Sequence, residues 1–240
     1  MANVTKDKLQ ELFPIHHRSG NILLINADCM EVMKHLNGDE FDLACVDQPY
    51  GIGEDGKSNH SRGKLAASTK YSAKSWDREP PTKEYFATLM RVSKNQIAWG
   101  ANHYISSINT LFLDSPCWIV WDKDNSGDFA DCELAWTSFK TAVRKFKFTW
   151  NGMLQGDMKN KQKRIHPTQK PIHLYSWILQ NYAKEGDRIL DTHLGSGSSA
   201  IAAHYSGYDF VGIELDEDYY KAAVKRFNEE TRQIDIFQKV

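Results

Sequence analysis

Apolar residues in this chain fall into short runs that end on a carboxylate, and between the runs stand segments with helical spacing. Asn21–Ala27 (NILLINA) is one such run and predicts a buried strand ending at Asp28. Asp28 then caps a helix over Cys29–Leu36, with Val32, Met33 and Leu36 on one face and Asn37-Gly38 as its stop. Phe41–Val46 is a second buried strand, ending at Asp47, so the three elements form a right-handed βαβ unit. Thr82, after Pro80-Pro81, caps a helix whose Phe86, Leu89 and Met90 recur at helical spacing. Gln96–Trp99, Trp118–Trp121, Glu133–Phe139 and Phe146–Trp150 read as further strands.

Pro171 opens a helix carrying Leu174, Tyr175, Ile178, Leu179 and Tyr182, which Gly186 ends. A strand over Arg188–Leu190, a helix over Ser198–Ser206 and a strand over Asp209–Ile213 follow. The last helix starts at Asp216, with Glu217 and Asp218 in its first turn and Lys221, Lys225 and Arg226 later, the order the helix dipole favours. Alternating strands and helices predict an α/β fold with a doubly wound, mostly parallel sheet, in one domain over residues 1–240.

Composition removes several classes of function. Seven Trp, ten Tyr and eleven Phe in 240 residues exclude a disordered chain. No run of about 18 apolar residues exists to span a bilayer, and the N-terminus lacks the apolar core of a secretion signal. The four cysteines stand far apart with no C-x-x-C pair, so reduced thiols in a cytoplasmic protein are expected, with no metal site.

Charge changes the picture further. Thirty basic residues against thirty-one acidic ones give a net charge of −1, which on its face argues against a polyanionic partner. The charge is unevenly spread, however. Residues 56–76 hold five basic residues and no acid, and residues 138–170 hold nine basic residues and only Asp157 as an acid. Two acid-poor windows in an otherwise acidic chain point to a polyanion-binding surface. The long polar stretch Gly51–Pro81 contains the first window and reads as a functional lid or binding loop over residues 51–81. The second window includes a small basic region over 145–166.

Three segments carry chemistry. Asp191-Thr-His-Leu-Gly195-Ser196-Gly197-Ser-Ser-Ala200 sits between a strand and a helix, where glycines let a ligand approach the backbone and the helix offers free N–H groups. The spacing also fits a dinucleotide-binding turn, although Asp191 favours a cationic amine over a pyrophosphate. Glu214 ends the next strand, placed to accept from ribose hydroxyls. Asp47-Gln48-Pro49-Tyr50 lies at the carboxyl end of a strand, where open α/β sheets bind ligands. A carboxylate beside a backbone carbonyl can accept both protons of an exocyclic amine, and an aromatic ring can stack on a flat base. His166-Pro-Thr-Gln-Lys-Pro171 is a rigid approach to the following helix, because each proline biases its predecessor away from helix.

Together these segments resemble the S-adenosylmethionine-dependent DNA amino-methyltransferases that modify adenine N6 or cytosine N4. Their order, Asp47–Tyr50, then His166–Pro171, Asp191–Gly197 and Glu214, resembles the β-type arrangement, over roughly Asn21 to Phe227. The resemblance implies a seven-stranded sheet with one antiparallel strand near an edge, and S-adenosylmethionine as cofactor. It implies that Asp191, Gly195, Ser196 and Gly197 hold the methionine part, Glu214 the ribose and Asp28 the adenine edge. His166, Thr168 and Lys170 join that cofactor set, the last two near the carboxylate. Asp47, Gln48, Pro49 and Tyr50 form the pocket of a flipped base.

Asp at position 47 favours adenine, since the family's cytosine enzymes more often carry Ser there; cytosine N4 stays open as an alternative substrate. Two departures from the family pattern stand out. Gln48 replaces a proline, which leaves a catalytically weakened relative as an alternative, and Thr192-His193 replace Pro-Phe. Double-stranded DNA is the implied partner, with no membrane; a homodimer and a cognate restriction enzyme of a restriction-modification pair stay open.

Overall fold

The computed structural model describes residues 4–53, 77, 79–105, 114–125, 130–151 and 154–232. Most of the 51–81 stretch, and with it the first basic window, lies outside the described residues.

Thr5 caps helix α1 (Lys6–Leu12), its hydroxyl accepting from the Lys8 N–H. A hairpin of β1 (His16–Ser19) and β2 (Ile22–Asn26) leads into α2 (Cys29–Lys34), capped by Asp28, and β3 (Phe41–Val46). Helix α3 (Lys83–Val92), capped by Thr82, runs straight into β4 (Ser93–Trp99). Strands β5 (Trp118–Asp122), β6 (Cys132–Thr137) and β7 (Arg144–Lys147) follow, then a two-stranded ribbon of β8 (Trp150–Asn151) and β9 (Leu154–Gln155). The chain closes with α4 (Ile172–Tyr182), β10 (Arg188–Asp191), α5 (Ser198–Tyr205), β11 (Asp209–Glu214) and α6 (Glu217–Arg232).

Nine strands pair in the order β1-β2-β11-β10-β3-β4-β6-β5-β7. Strands β2, β11, β10, β3 and β4 are mutually parallel, whereas β6 runs antiparallel to both β4 and β5. Without the edge strands β1 and β7, seven strands remain with one antiparallel member beside an edge, as the resemblance implies. Of the two extra strands β1 is new, while β7 overlaps the strand expected over Phe146–Trp150. β2 and β3 are parallel, but β11 and β10 lie between them, so the early βαβ unit does not close on adjacent strands.

Side chains alternate between two cores across the sheet, as the strand period of two requires. Leu23, Ile25, Ala44 and Val46 pack with α1, α2 and α3, whereas Ile22, Leu24, Leu43 and Cys45 pack with α4, α5 and α6. Both faces are covered, which is why the central strands read as continuous apolar runs. The four cysteines are free thiols. No helix among the described residues is long and apolar enough to cross a membrane, and no group of three or more His, Cys, Asp or Glu there could hold a metal ion.

Candidate active site

The carboxyl ends of β2, β3, β10 and β11 open onto one cavity of about 1000 Å³. That is the upper end of the range for small-molecule sites. Of the residues singled out in the sequence, Asp28, Asp47, Pro49, His166, Thr168, Lys170, Gly195, Ser196 and Glu214 line it. Gln48, Tyr50, Asp191 and Gly197 do not, and each has a structural reason.

Gln48 is buried and turned toward the end of β4: its Nε2 donates to the Trp99 carbonyl at 2.7 Å and to the Tyr104 hydroxyl. Its Oε1 has no hydrogen-bond partner. The side chain therefore fastens the loop, and what position 48 can offer a ligand is its backbone carbonyl. Tyr50 donates from its hydroxyl to Asp47 Oδ1 at 2.7 Å, and its ring stacks on His103 at 5.3 Å and 13°. Gly100 makes room for that ring, since a Cβ there would sit 2.2 Å from it, and its φ of 70° is one that glycine adopts freely. Asp77 fixes the loop from the other side, its Oδ1 accepting from the N–H groups of Tyr50 and Gly51 at 2.7 and 2.8 Å.

Asp191 lies beneath its turn and does not reach the cavity. Its Oδ1 accepts from the His193 N–H at 3.0 Å and its Oδ2 from the Ser199 hydroxyl at 2.6 Å. Burial raises its carboxyl to about 7. Expected to face a ligand amine, it instead shapes the turn that faces the ligand. Gly197, at φ 75°, caps α5, where a Cβ would meet the Cβ of Ala223 on α6 at 3.4 Å. Arg226 of α6 clamps the same turn: it donates to the Ser196 carbonyl at 2.8 Å, to the Ser198 hydroxyl at 2.9 Å and to Gln162 Oε1 at 3.0 Å.

Glu214 reaches across from β11, its Oε2 accepting from the Gly195 N–H at 2.8 Å and its Oε1 from the Asp216 N–H at 2.9 Å. Burial raises its carboxyl. Asp28, exposed at the rim, spends Oδ1 on the Met30 N–H as a helix cap.

The walls between these carboxylates are aromatic. His166 packs on Tyr219 with ring centroids 4.3 Å apart, and His193 meets Tyr85 edge-on at 5.4 Å. Burial lowers both histidines to about 4, so both are neutral rings at pH 7. The Thr192-His193 departure is accommodated by a chain of hydrogen bonds from His193 Nδ1 to Thr192 Oγ1 (2.9 Å) and on to the Tyr85 hydroxyl (2.6 Å). A neutral imidazole held in this way presents the flat wall that a phenyl ring would.

Lys170 differs most from its expected place. Rather than waiting for a ligand carboxylate, its ammonium lies 2.5 Å from Asp47 Oδ1 and 3.1 Å from Glu133 Oε2. Burial disfavours the ammonium, but the two carboxylates override it and raise the Lys170 pKa. Glu133, Tyr85 and Asp77 carry the site without having been singled out in the sequence. The one available signal was for Glu133, the sole charge in the sequence of β6.

The second basic window is largely a surface. Lys140, Arg144, Lys145, Lys147, Lys159, Lys161 and Lys163 are exposed, and Arg164 covers the Trp150 ring at 4.7 Å. Lys145 and Lys147 pair with Asp122 and Asp124, while Lys170 alone turns fully inward.

A family model described as DNA methylase matches residues 120–225. The type II methyltransferase M2.LlaDCHI of Lactococcus lactis subsp. cremoris is 25% identical over 252 aligned positions, covering 89% of this chain and 91% of the relative. The type II methyltransferase M2.DpnII of Streptococcus pneumoniae is 26% identical, covering 90% and 92%. Among solved structures, a complex of M1.HpyAVI with SAM superimposes with a TM-score of 0.55 at 23% identity, covering 85% of this chain and 99% of that one. With three motifs in β-type order around one cavity at the carboxyl ends of the sheet, the chain is similar to DNA methylases over residues 120–225 and to these two type II methyltransferases over most of its length.

Proposed function

We propose that this protein transfers a methyl group from S-adenosylmethionine to the N6 amine of adenine in a specific sequence of double-stranded DNA. The observation that carries it is that Asp47, Glu214, Asp28 and the Gly195-Ser196 turn all face one cavity. The donor set suits the cofactor. Glu214 and Asp28 offer carboxylate oxygens to ribose hydroxyls and an adenine edge, and neutral His193, Tyr85 and Tyr219 offer flat walls. The turn held by Arg226 offers backbone to the methionine part. When bound, the cofactor supplies an electrophilic methyl on a sulfonium.

The chain's own residues act on the nucleophile. An exocyclic amine is weak because its lone pair is delocalised into the ring. Accepting its protons at Asp47 and at the Gln48 carbonyl favours a more tetrahedral nitrogen with an available lone pair, and fixed positioning supplies much of the rest. As the carbon–nitrogen bond forms and the carbon–sulfur bond breaks, the nitrogen carries a surplus proton. Asp47, raised by burial, is the acceptor beside it. The target base must leave the stack to reach this cavity, at a cost of a few kcal/mol.

Lys159, Lys161 and Lys163, next to the β8–β9 ribbon, supply phosphate contacts that weaken as salt rises. They form part of a small recognition region over 145–166, complemented by the 51–81 loop. A cytoplasmic location follows from a DNA substrate. Self-association and a cognate restriction enzyme belong to the same proposal; sedimentation of the pure chain tests the first, and co-purification from its host the second.

The deciding experiment incubates the chain with methyl-labelled S-adenosylmethionine and unmodified duplex DNA, then identifies the labelled nucleoside. Label in N6-methyladenine is expected. Label in N4-methylcytosine reassigns the substrate, and tight cofactor binding without label marks a weakened relative.

A further inference from the structure

Two carboxylates face one buried ammonium at the wall of the cavity. Lys170 touches Asp47 on the cavity side and Glu133 behind it, and Glu133 Oε1 lies 2.5 Å from the Lys123 ammonium. Charges therefore alternate outward from the cavity through Asp47, Lys170, Glu133 and Lys123. Side-chain exposure is 3% for Lys170 and 17% for Lys123, which also stands over the Trp121 ring at 5.2 Å. Neither Glu133 nor Lys123 lines the cavity, and neither belongs to the three motifs.

We propose that Glu133 is a positioning residue for methyl transfer, taking over the Lys170 ammonium when the target amine claims Asp47. The inference rests on the DNA-methylating role argued above. Without substrate, Asp47 Oδ1 is already engaged by Lys170 and by the Tyr50 hydroxyl. A target amine that takes Oδ1 must displace at least one of them. Were Asp47 the sole counter-ion, losing it would leave Lys170 with an uncompensated buried charge, which is costly. Glu133 removes that cost, because Lys170 already touches it and need only shift its balance.

Glu133 is also the carboxylate that stays ionised. Burial works against it, but Lys170 and Lys123 together hold it down to about 2. Asp47 has Lys170 alone, and both burial and the neighbouring Glu133 charge raise it. The pair is thus asymmetric: one permanent anchor and one carboxylate able to exchange partners. The groups that bear on Asp47 are Lys170, Glu133 and the Tyr50 hydroxyl, then Tyr104, Tyr175, Cys45 and Asp191.

The test is single-turnover methyl transfer to duplex DNA across pH by the full chain and its variants, with cofactor affinity measured alongside. Glu133→Gln should lower the transfer rate about tenfold or more at unchanged cofactor affinity. Its acid limb should move to lower pH, because a negative neighbour of Asp47 is gone. Glu133→Asp should recover part of the rate. Lys123→Met, a change at the partly exposed end of the charge series, should move the acid limb the opposite way. An unchanged rate and acid limb in Glu133→Gln overturn the inference while leaving the methylation reading intact. A rate that falls only in step with cofactor affinity also overturns it, since that is what a merely structural role predicts. Should Glu133→Gln fail to fold, an unmoved acid limb in Lys123→Met overturns it instead. A wild-type chain that binds cofactor yet labels no DNA removes the methylation reading first, and this role with it.

Discussion

Asp47 follows β3 and Asp191 ends the neighbouring parallel strand β10; the first lines the cavity and the second lies beneath its turn. Their surroundings separate them. Asp47 has a cation, an aromatic hydroxyl and an opening to the cavity; Asp191 has a serine hydroxyl, a backbone N–H and no opening. An acid at the end of a buried strand is thus not one kind of residue. With a movable counter-ion it can exchange partners with a substrate, whereas with fixed neutral donors it organises a turn.

The comparison predicts a graded series of effects. Asp47→Ala should cost about 10²–10⁴-fold in methyl transfer while cofactor affinity is retained, measured by single-turnover labelling and calorimetry. Activity surviving that change would erase the distinction between the two acids. Lys170→Met leaves Asp47 buried without a cation and should destabilise the fold by about 3–5 kcal/mol at neutral pH, read by denaturant unfolding. The loss should shrink in acid, where Asp47 can protonate, and residual transfer should require higher pH.

Asp191→Asn should be milder, about 1–2 kcal/mol at pH 5 from one mismatched buried hydrogen bond. Here the sign of the pH dependence is diagnostic. The folded carboxyl is raised to about 7 from an ordinary value near 3.8. The stability it contributes is therefore present below the unfolded value and is lost as pH rises through about 7. The gap between wild type and Asp191→Asn should narrow from pH 4 to pH 8; a gap that widens would show that the folded carboxyl is lowered, not raised. Smallest of all, Gln48→Met should change stability by less than about 1 kcal/mol, since it removes both two donated bonds and an unpartnered oxygen. Its transfer rate should stay near wild type, because the side chain faces away from the cavity.

Much of this was legible in the chain. Runs such as Ile22–Ile25 and Phe41–Val46 announce strands because both sheet faces are covered, and Asp28 and Thr82 announce helix starts because each caps one. The edge strands were legible only in part. His16–Ser19 is half-wet and polar and carries no apolar run, while the expected strand over Phe146–Trp150 overlaps β7 at two positions and β8 at one. Strand order was invisible for another reason: nothing local in β2 or β3 says that β11 and β10 will come between them.

The same blindness hid Glu133. It meets Lys170 only because β6 is laid antiparallel against β4, a pairing set by the whole sheet. Lys170 was found by its motif and placed in the right cavity, yet its partners could not be read, because the contact with Asp47 spans 123 positions.

That span also bears on when the protein can act. Asn26 hydrogen-bonds the backbone carbonyls of Glu214 and Leu215, 188 and 189 positions away, and Arg226 clamps the turn at Ser196. Early and late segments must both be present before the cavity has walls. A chain still emerging from the ribosome has β2, α2 and β3 but neither β10 and β11, which stand between those strands, nor the α6 arginine that clamps the turn. Slow, long-range closure of this kind is the expected behaviour of a high-contact-order sheet. Synthesis thus has a built-in delay: half-made protein lacks part of the cavity wall, so the cavity exists only in a nearly complete chain.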